Sequence, residues 1–467
     1  MILEFLSLAS QCVARFLQFL FFILELFPVS QKSKIFMSER KSTCWKKAII
    51  DAKKRKLQSQ NPNAKTFWIH VASAGELEQI IPTLRMLHNN FGVVFFLTYF
   101  SPSAMAFVKN CPGLIGASSL PLENKQAFQS AIDSLDITRL VLVRYDFWPA
   151  LISTFTKNNL PVCIMAATLR RARSPLPAFL RSSLRRLWFG SADTIFLVDA
   201  DEKELLILAG ISEQKIFVAG DAKWARARER AADFHKRNTS PPIQAIRDYL
   251  AAPSRKTSRR AIVFGSPHAE EIAVLLRVLA EKPKDVLFIV APPEVDDRSI
   301  GKLANQFSID GVRILKISDA IQGMWPAELC LPEEIPLVIL DTFGHLAEAY
   351  GIAEVAVVGG GFDGQLHNVL EPAALPVATV FGDKTDRAPE AQILLTNNAA
   401  LSFAKPEMLF QFLHGWSNLG SDDAERGNLQ QKLLALRLNS ASLFASLPDT
   451  SEVVCRALAN KDALEAL

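Results

Sequence analysis

Side chains able to do chemistry gather at three places, each just after an apolar run. SAGE (73–76) follows FWIHVA (67–72) and puts Glu76 in the first turn of an expected helix. A carboxylate there complements the helix dipole, and facing a cleft it can also take a proton from a hydroxyl. The local residues leave both readings open. Ser73 is a candidate cap, Gly75 would let the backbone turn tightly, and Gln79 stands three residues after Glu76. The second place is VLVRYDFWPAL (141–151), whose apolar run ends in Arg144 and Asp146, then an aromatic pair and Pro149.

The third is DTFGHLAEAYG (341–351) followed by GGGFDGQLHNVLEPAAL (359–375), where glycines lead into a helix near His367, Asn368 and Glu371. Glycine at such a point permits close backbone approach, and a helix N-terminus welcomes phosphate. Helix capping with a satisfied buried histidine is the other reading of the same residues. Gly359, Gly361 and Gly364 satisfy GxGxxG, but late in their domain. A dinucleotide fingerprint belongs on the first βα turn.

The elements that must position these residues alternate. Strand-like runs are FWIHVA (67–72), VVFFLTY (93–99), RLVLV (139–143), PVCIMAA (161–167), TIFLVD (194–199) and KIFVAG (215–220). Helix-length stretches such as 77–89 and 124–135 lie between them. Residues 225–260 are polar and strandless. The alternation restarts with AIVFG (261–265), VLFIVA (286–291), VRILKI (312–317), PLVILD (336–341), EVAVVGG (354–360) and PVATVFG (376–382). This pattern predicts an α/β chain of two Rossmann-like parallel-sheet domains facing a cleft. The expected divisions are 1–30 (membrane-associated helix), 31–64 (basic linker), 65–224 (first Rossmann-like domain), 225–260 (linker), 261–424 (second Rossmann-like domain) and 425–467 (helices packing back).

Bulk composition is consistent with that division. At 467 residues, 49% apolar and 21% charged, the chain is too long for one ordinary core. Net charge is only +4, yet ten basic residues fall within 32–56 against Glu39 and Asp51. Six scattered cysteines without a CxxC argue against a disulfide scaffold and a structural zinc site. Residues 1–30 are strongly apolar, but Glu4, Arg15 and Glu25 interrupt them. That suits a helix lying in or shallowly inserted into a bilayer, with the basic cluster on anionic lipid, better than a full span. A core-packed first helix followed by a solvated basic linker is the alternative.

Taken together, SAGE, the RYDFWP segment, AGDAKW (219–224), GSPHAEE (265–271), DTFGHL and HNVLEPAA resemble the 3-deoxy-D-manno-octulosonic acid (Kdo) transferases of glycosyltransferase family 30. The resemblance runs in order from about 65 to 395. It implies a GT-B fold and an inverting transfer of Kdo from CMP-Kdo to a lipid A precursor in lipopolysaccharide core biosynthesis. It implies a general base at Glu76 and transition-state stabilisation by Lys223, with Asp146 and Arg144 in the second acidic segment. Nucleotide contacts carry over onto Phe343, Gly344, His345, Asn368, Val369, Leu370 and Glu371, with Ser266 and His268 from GSPHAEE. No metal or other cofactor is expected; the partners implied are the lipid A precursor, the CMP-sugar and anionic membrane lipid. Nucleic acid is not expected. The location implied is the cytoplasmic face of an inner membrane.

Some positions depart from the family pattern. Arg144 stands where the family's first Glu of E-T-E-L-W-P is expected, and His345 replaces a Glu. APPEV (291–295) lacks the donor-binding Arg of P-R-H-P, and the N-A-R-x-S segment reads AATLRR, bringing Arg170 and Arg171. These departures leave open another nucleotide-activated sugar, or a catalytically weak membrane-bound partner that binds CMP or lipid.

Overall fold

The computed structural model describes residues 42–464 apart from 110, 145, 170–177, 237–239, 252–259, 310, 326–333, 376 and 418–422, together with Glu4, Ser38 and Arg40. The expected membrane helix over 1–30 therefore lies outside the described residues except at Glu4, and so do Arg170 and Arg171. Among the described residues no helix is long and apolar enough to cross a membrane. The chain divides into two compact units, residues 1–226 with 448–467, and residues 227–447.

Unit 1 holds a seven-stranded parallel sheet among the described residues, in the order β3-β2-β1-β4-β5-β6-β7. Its strands are β1 Thr66–Val71, β2 Val94–Tyr99, β3 Leu114–Ser119, β4 Ile137–Val143, β5 Val162–Ala167, β6 Thr194–Leu197 and β7 Ile216–Val218. β1 and β2 are buried along their whole length. Continuous apolar runs of this kind belong to strands covered on both faces. Trp68 on β1 is fully buried and meets Trp45, Phe96, Phe128 of α3 (Lys125–Leu135) and Phe155 of α4 (Pro149–Lys157) edge-on or tilted, with centroids 5.6–5.9 Å away.

Trp45 belongs to a helix, α1 (Ser42–Leu57), which corrects the basic linker expected over 31–64. Trp45, Ile49, Ala52 and Lys56 recur at helical spacing and are buried. Ala52 lies so close to Gly116 of β3 that a Cβ there would come within 2.7 Å of it. The Lys56 ammonium bonds the Leu135 carbonyl at 2.9 Å and pairs with Asp136 at 3.3 Å. Lys46, Lys47, Lys53, Lys54 and Arg55 stay exposed on the opposite side. The basic run is thus largely one face of a packed helix.

Unit 2 holds a second seven-stranded parallel sheet among its described residues, in the order β10-β11-β9-β8-β12-β13-β14. Its strands are β8 Arg260–Gly265, β9 Val286–Ala291, β10 Val312–Lys316, β11 Ile335–Ile339, β12 Val355–Val358, β13 Ala378–Gly382 and β14 Ala400–Phe403. Residues 225–260, expected as a linker, are largely helical where described: α5 (Ala222–Lys236) is followed by a helix at Pro241–Ala251, and β8 begins at Arg260. The chain ends in two helices, Asp423–Ser446 and Thr450–Leu464. The last one packs on α2 (Ala74–Phe91) of unit 1, where the Thr83 hydroxyl donates to Ser451 Oγ at 3.1 Å.

Both sheets reverse direction once in strand order, between β1 and β4 in unit 1 and between β8 and β12 in unit 2. In open α/β sheets the crevice outside the carboxyl ends of strands at such a reversal is where ligands bind.

Candidate active site

In unit 1 the reversal brings SAGE and the Arg144–Asp146 segment to adjoining strand ends, because β1 and β4 pair in parallel through Ile69–Val141 and His70–Leu142. Glu76 sits in the first turn of α2, 8% exposed. Its Oε2 accepts the Ala72 N–H at 2.7 Å, so the carboxylate folds back over the strand end. The expected Ser73 cap is not made by its side chain. Gly75 is helical with no atom within 4 Å of a built Cβ, so the tight turn expected there does not depend on glycine. Burial pushes the Glu76 carboxyl up to about 7, opposed by the Ala72 bond; Asp146 raises it further and Arg144 lowers it. This is the proton affinity a general base needs near neutral pH.

Arg144 lies in the left-handed region, φ 64°, a conformation a branched-free but bulky side chain adopts only when neighbours hold it. Its guanidinium donates to Gln79 Oε1 at 2.7 Å, one turn along α2 from Glu76. Asp146 turns inward, its Oδ2 3.3 Å from Nε2 of His70 on β1. His70 was not singled out in the sequence; the signal available was a single ionisable residue inside an otherwise apolar strand. Lys223 stands in the first turn of α5, after β7, its backbone N–H bonded to Asp221. One turn further Arg226 pairs with Glu78 at 3.6 Å, which brings the start of α5 against the first turn of α2.

In unit 2 the reversal is built from backbone. β8 ends at Gly265 and continues through Ser266 at φ 51°; β12 continues into Gly359–Gly360–Gly361. A Cβ on Gly359 would fall 2.1 Å from the Ser266 carbonyl oxygen, and one on Gly361 2.5 Å from the Gly382 nitrogen. Only glycine allows these chains to meet. Glu271, fully buried on α6 (Ala269–Ala280), ties the two turns together by accepting the His268 N–H at 2.9 Å and the Gly360 N–H at 3.1 Å. Burial raises its carboxyl above the usual range.

Three side chains form a row beside this turn. Asp363 Oδ2 bonds His268 Nδ1 at 2.7 Å, and His268 Nε2 meets His367 Nε2 at 3.0 Å. Burial and the neighbouring His268 lower the His367 proton affinity. Asp363 was not legible as a site residue, because its partner His268 is 95 positions away; Glu271 caps the nearby His268 N–H, but its bond to Gly360 spans 89 positions.

The carried-over nucleotide contacts divide. Asn368 is exposed at the surface and its Oδ1 accepts the Leu370 N–H at 3.0 Å. Glu371 is half-buried and pairs with Arg230 at 2.6 Å. Phe343 is 83% exposed beside Gly344, whose φ is 101°. His345 opens the short helix Leu346–Tyr350, with Nδ1 3.5 Å from Ser240 Oγ. Val369 and Leu370 are buried, so what they offer a ligand is backbone. Among the described residues no three His, Cys, Asp or Glu side chains cluster to hold a metal ion.

Residues 45–226 match the family model described as 3-deoxy-D-manno-octulosonic-acid transferase (kdotransferase). A 3-deoxy-D-manno-octulosonic acid transferase of Chlamydia pneumoniae is 25% identical over 72% of this chain and 73% of its own. The transferase of that name from Aquifex aeolicus is 23% identical over 71% of this chain and 80% of its own. Among solved structures, UDP-GlcNAc 2-epimerase from Neisseria meningitidis superposes with TM-score 0.54 at 12% identity, covering 85% of this chain and 100% of its own. A glycosyltransferase from Rickettsia africae gives TM-score 0.50 at 12% identity over 86% and 99%. The structural likenesses establish a GT-B-like fold of two Rossmann-like units. The chain is a glycosyltransferase, a divergent relative of the Kdo transferases.

Proposed function

We propose that the chain transfers Kdo from CMP-Kdo to a lipid A precursor with inversion, at the cytoplasmic face of an inner membrane. The single observation that carries the chemistry is Glu76, a desolvated carboxylate with a proton affinity near neutrality at the reversal of the first sheet. An acceptor hydroxyl is a poor nucleophile until a base takes its proton, and Glu76 is tuned for that step. In this reading the glycine turn, Asn368 and Glu371 receive the CMP portion, and Lys223 with helix N-termini takes the charge that grows on the leaving phosphate. The names of the curated relatives support the sugar transferred. No resident cofactor is needed for these steps, and the apolar sequence of residues 1–30 supports the membrane location.

A second reading, transfer of a different nucleotide-activated sugar, is favoured by Arg144 in place of the expected acid and by the missing Arg in 291–295. Purified protein incubated with lipid A precursor and either CMP-Kdo or other nucleotide sugars, with products read by mass spectrometry, tests both. A Kdo-bearing product lost in Glu76→Gln supports the proposal. Product from another donor alone overturns it.

A further inference from the structure

His70 is fully buried near the C-terminal end of β1, and its ring nitrogens face two partners. Nδ1 lies 2.9 Å from Thr98 Oγ1 on the neighbouring β2, and Nε2 lies 3.3 Å from Asp146 Oδ2. Thr98 Oγ1 in turn accepts the Trp68 indole N–H at 2.8 Å. Neither His70 Nε2 nor Asp146 Oδ2 has a well-formed hydrogen bond, although both atoms are buried. Left apart, each would carry the cost of an unsatisfied buried polar atom, about 1–3 kcal/mol.

One proton arrangement serves both. With a neutral ring, the Thr98 O–H donates to Nδ1 at 2.9 Å in preference to the Ile69 carbonyl at 3.4 Å, the ring proton sits on Nε2, and Nε2–H points at Asp146. The reverse tautomer sets an imidazole lone pair against a carboxylate oxygen. Trp148, two residues after Asp146, packs its ring edge-on to His70 with centroids 5.5 Å apart, which closes the same pocket from the loop side.

We propose that His70 is a positioning residue for the base: from inside the sheet its Nε2–H fixes the Asp146 carboxylate in the orientation that sets the charge around Glu76. This rests on the reading of Glu76 as base and adds a residue behind it. The groups acting on Glu76 come from each element packed there. Asp146 and Arg144 stand on the loop after β4, and the Ala72 N–H closes the end of β1. Glu78 on α2 itself is engaged by Arg226 of α5. Among these, only Asp146 opposes ionisation of Glu76, and His70 reaches Asp146 from the core.

The test reads Glu76 directly, without substrate, so that it stands whatever donor the enzyme uses. The full-length protein carrying carbon-13 at the glutamate carboxyl is titrated by NMR, and the Glu76 signal is assigned by its loss in Glu76→Gln. His70→Asn keeps a partner for Thr98 and withdraws the donor from Asp146. It should move the Glu76 midpoint down, on the order of one pH unit, as Asp146 swings away. His70→Gln places an amide N–H where Nε2 stood and should restore the wild-type midpoint. A purely structural histidine would lower thermal stability in both variants with the midpoint unmoved, and that result overturns the proposal. If His70→Asn does not fold, Asp146→Asn removes the other end of the contact without touching the strand. It must then give the same downward shift; an unmoved midpoint there also overturns the proposal.

Discussion

At the reversal of the first sheet the chain buries a carboxylate; at the reversal of the second it removes side chains. The first turn is open at Gly75, while Glu76 is buried and tuned by charges on the adjoining loop, Asp146 raising and Arg144 lowering its proton affinity. The turn around Gly359–Gly361 has no room at all, and its ionisable neighbour Glu271 is consumed by two backbone N–H groups. Two sheets of the same construction therefore specialise differently. One offers a proton acceptor held in low dielectric. The other offers bare backbone and a helix start, the surroundings a phosphate or nucleotide prefers. Duplicated architecture fixes where a site can be, and the local choice between desolvation and close approach fixes what it does.

The contrast breaks most visibly at Glu76. Glu76→Gln keeps the shape and the acceptor for Ala72 but loses the basic lone pair, so turnover should fall by about 10²–10⁴-fold. In the wild type, kcat/KM should lose activity as pH falls through about 7, where Glu76 takes up its proton. The same substitution should stabilise the fold. The folded-state carboxyl sits at about 7 against an ordinary 4.5, so the folded protein binds the proton more tightly. Stability is therefore lost as pH rises from 4.5 to 7 and stays low above it. Glu76→Gln should recover about 1–3 kcal/mol at pH 8 and nothing at pH 4, measured by denaturant melts. An activity near wild type would make Glu76 a helix-end residue only.

The glycines sharpen the other side. Gly359→Ala drives a Cβ against the Ser266 carbonyl and should cost about 3 kcal/mol, with loss of nucleotide-dependent stabilisation. Gly75→Ala meets open space inside a helix and should gain up to about 0.5–1 kcal/mol. Thermal melts with and without CMP measure both. Equal effects at the two positions would remove the distinction between a crowded and an open turn.

Much of this was legible from sequence. The interior strands are written as apolar β-branched and aromatic runs, and their alternation with helices gave two parallel sheets. Two strands were not legible, LIGASS at β3 and ALSF at β14. Both lie at sheet edges, where fewer apolar residues are needed. Helix α1 was hidden because its basic residues dominate the composition, while four buried positions decide its place. Glu76, Arg144 and Asp146 could be picked out because each follows a strand end. The contacts among Asp363, His268 and His367 join loops about a hundred residues apart, and no local pattern announces them.

The smallest expected effect concerns Arg144, where the chain departs from its relatives' pattern. Its positive charge lowers the proton affinity of Glu76, in opposition to Asp146. Arg144→Gln removes that charge and should raise the acid limb of kcat/KM by about half a pH unit, while Arg144→Lys should leave it nearly in place. Arg144→Gly separates charge from conformation. It relieves the left-handed backbone at φ 64° and should add up to about 1 kcal/mol of stability, yet move the limb as Gln does. Arg144→Glu restores the residue type expected from the family, but it places a third carboxylate in the field of Glu76 and Asp146. Like charges in one desolvated site cannot all ionise, so its limb should rise further and its activity at neutral pH should fall. A gain of transfer in Arg144→Glu would mean instead that the site still expects an acid there, and that Arg144 weakens the base it stands beside.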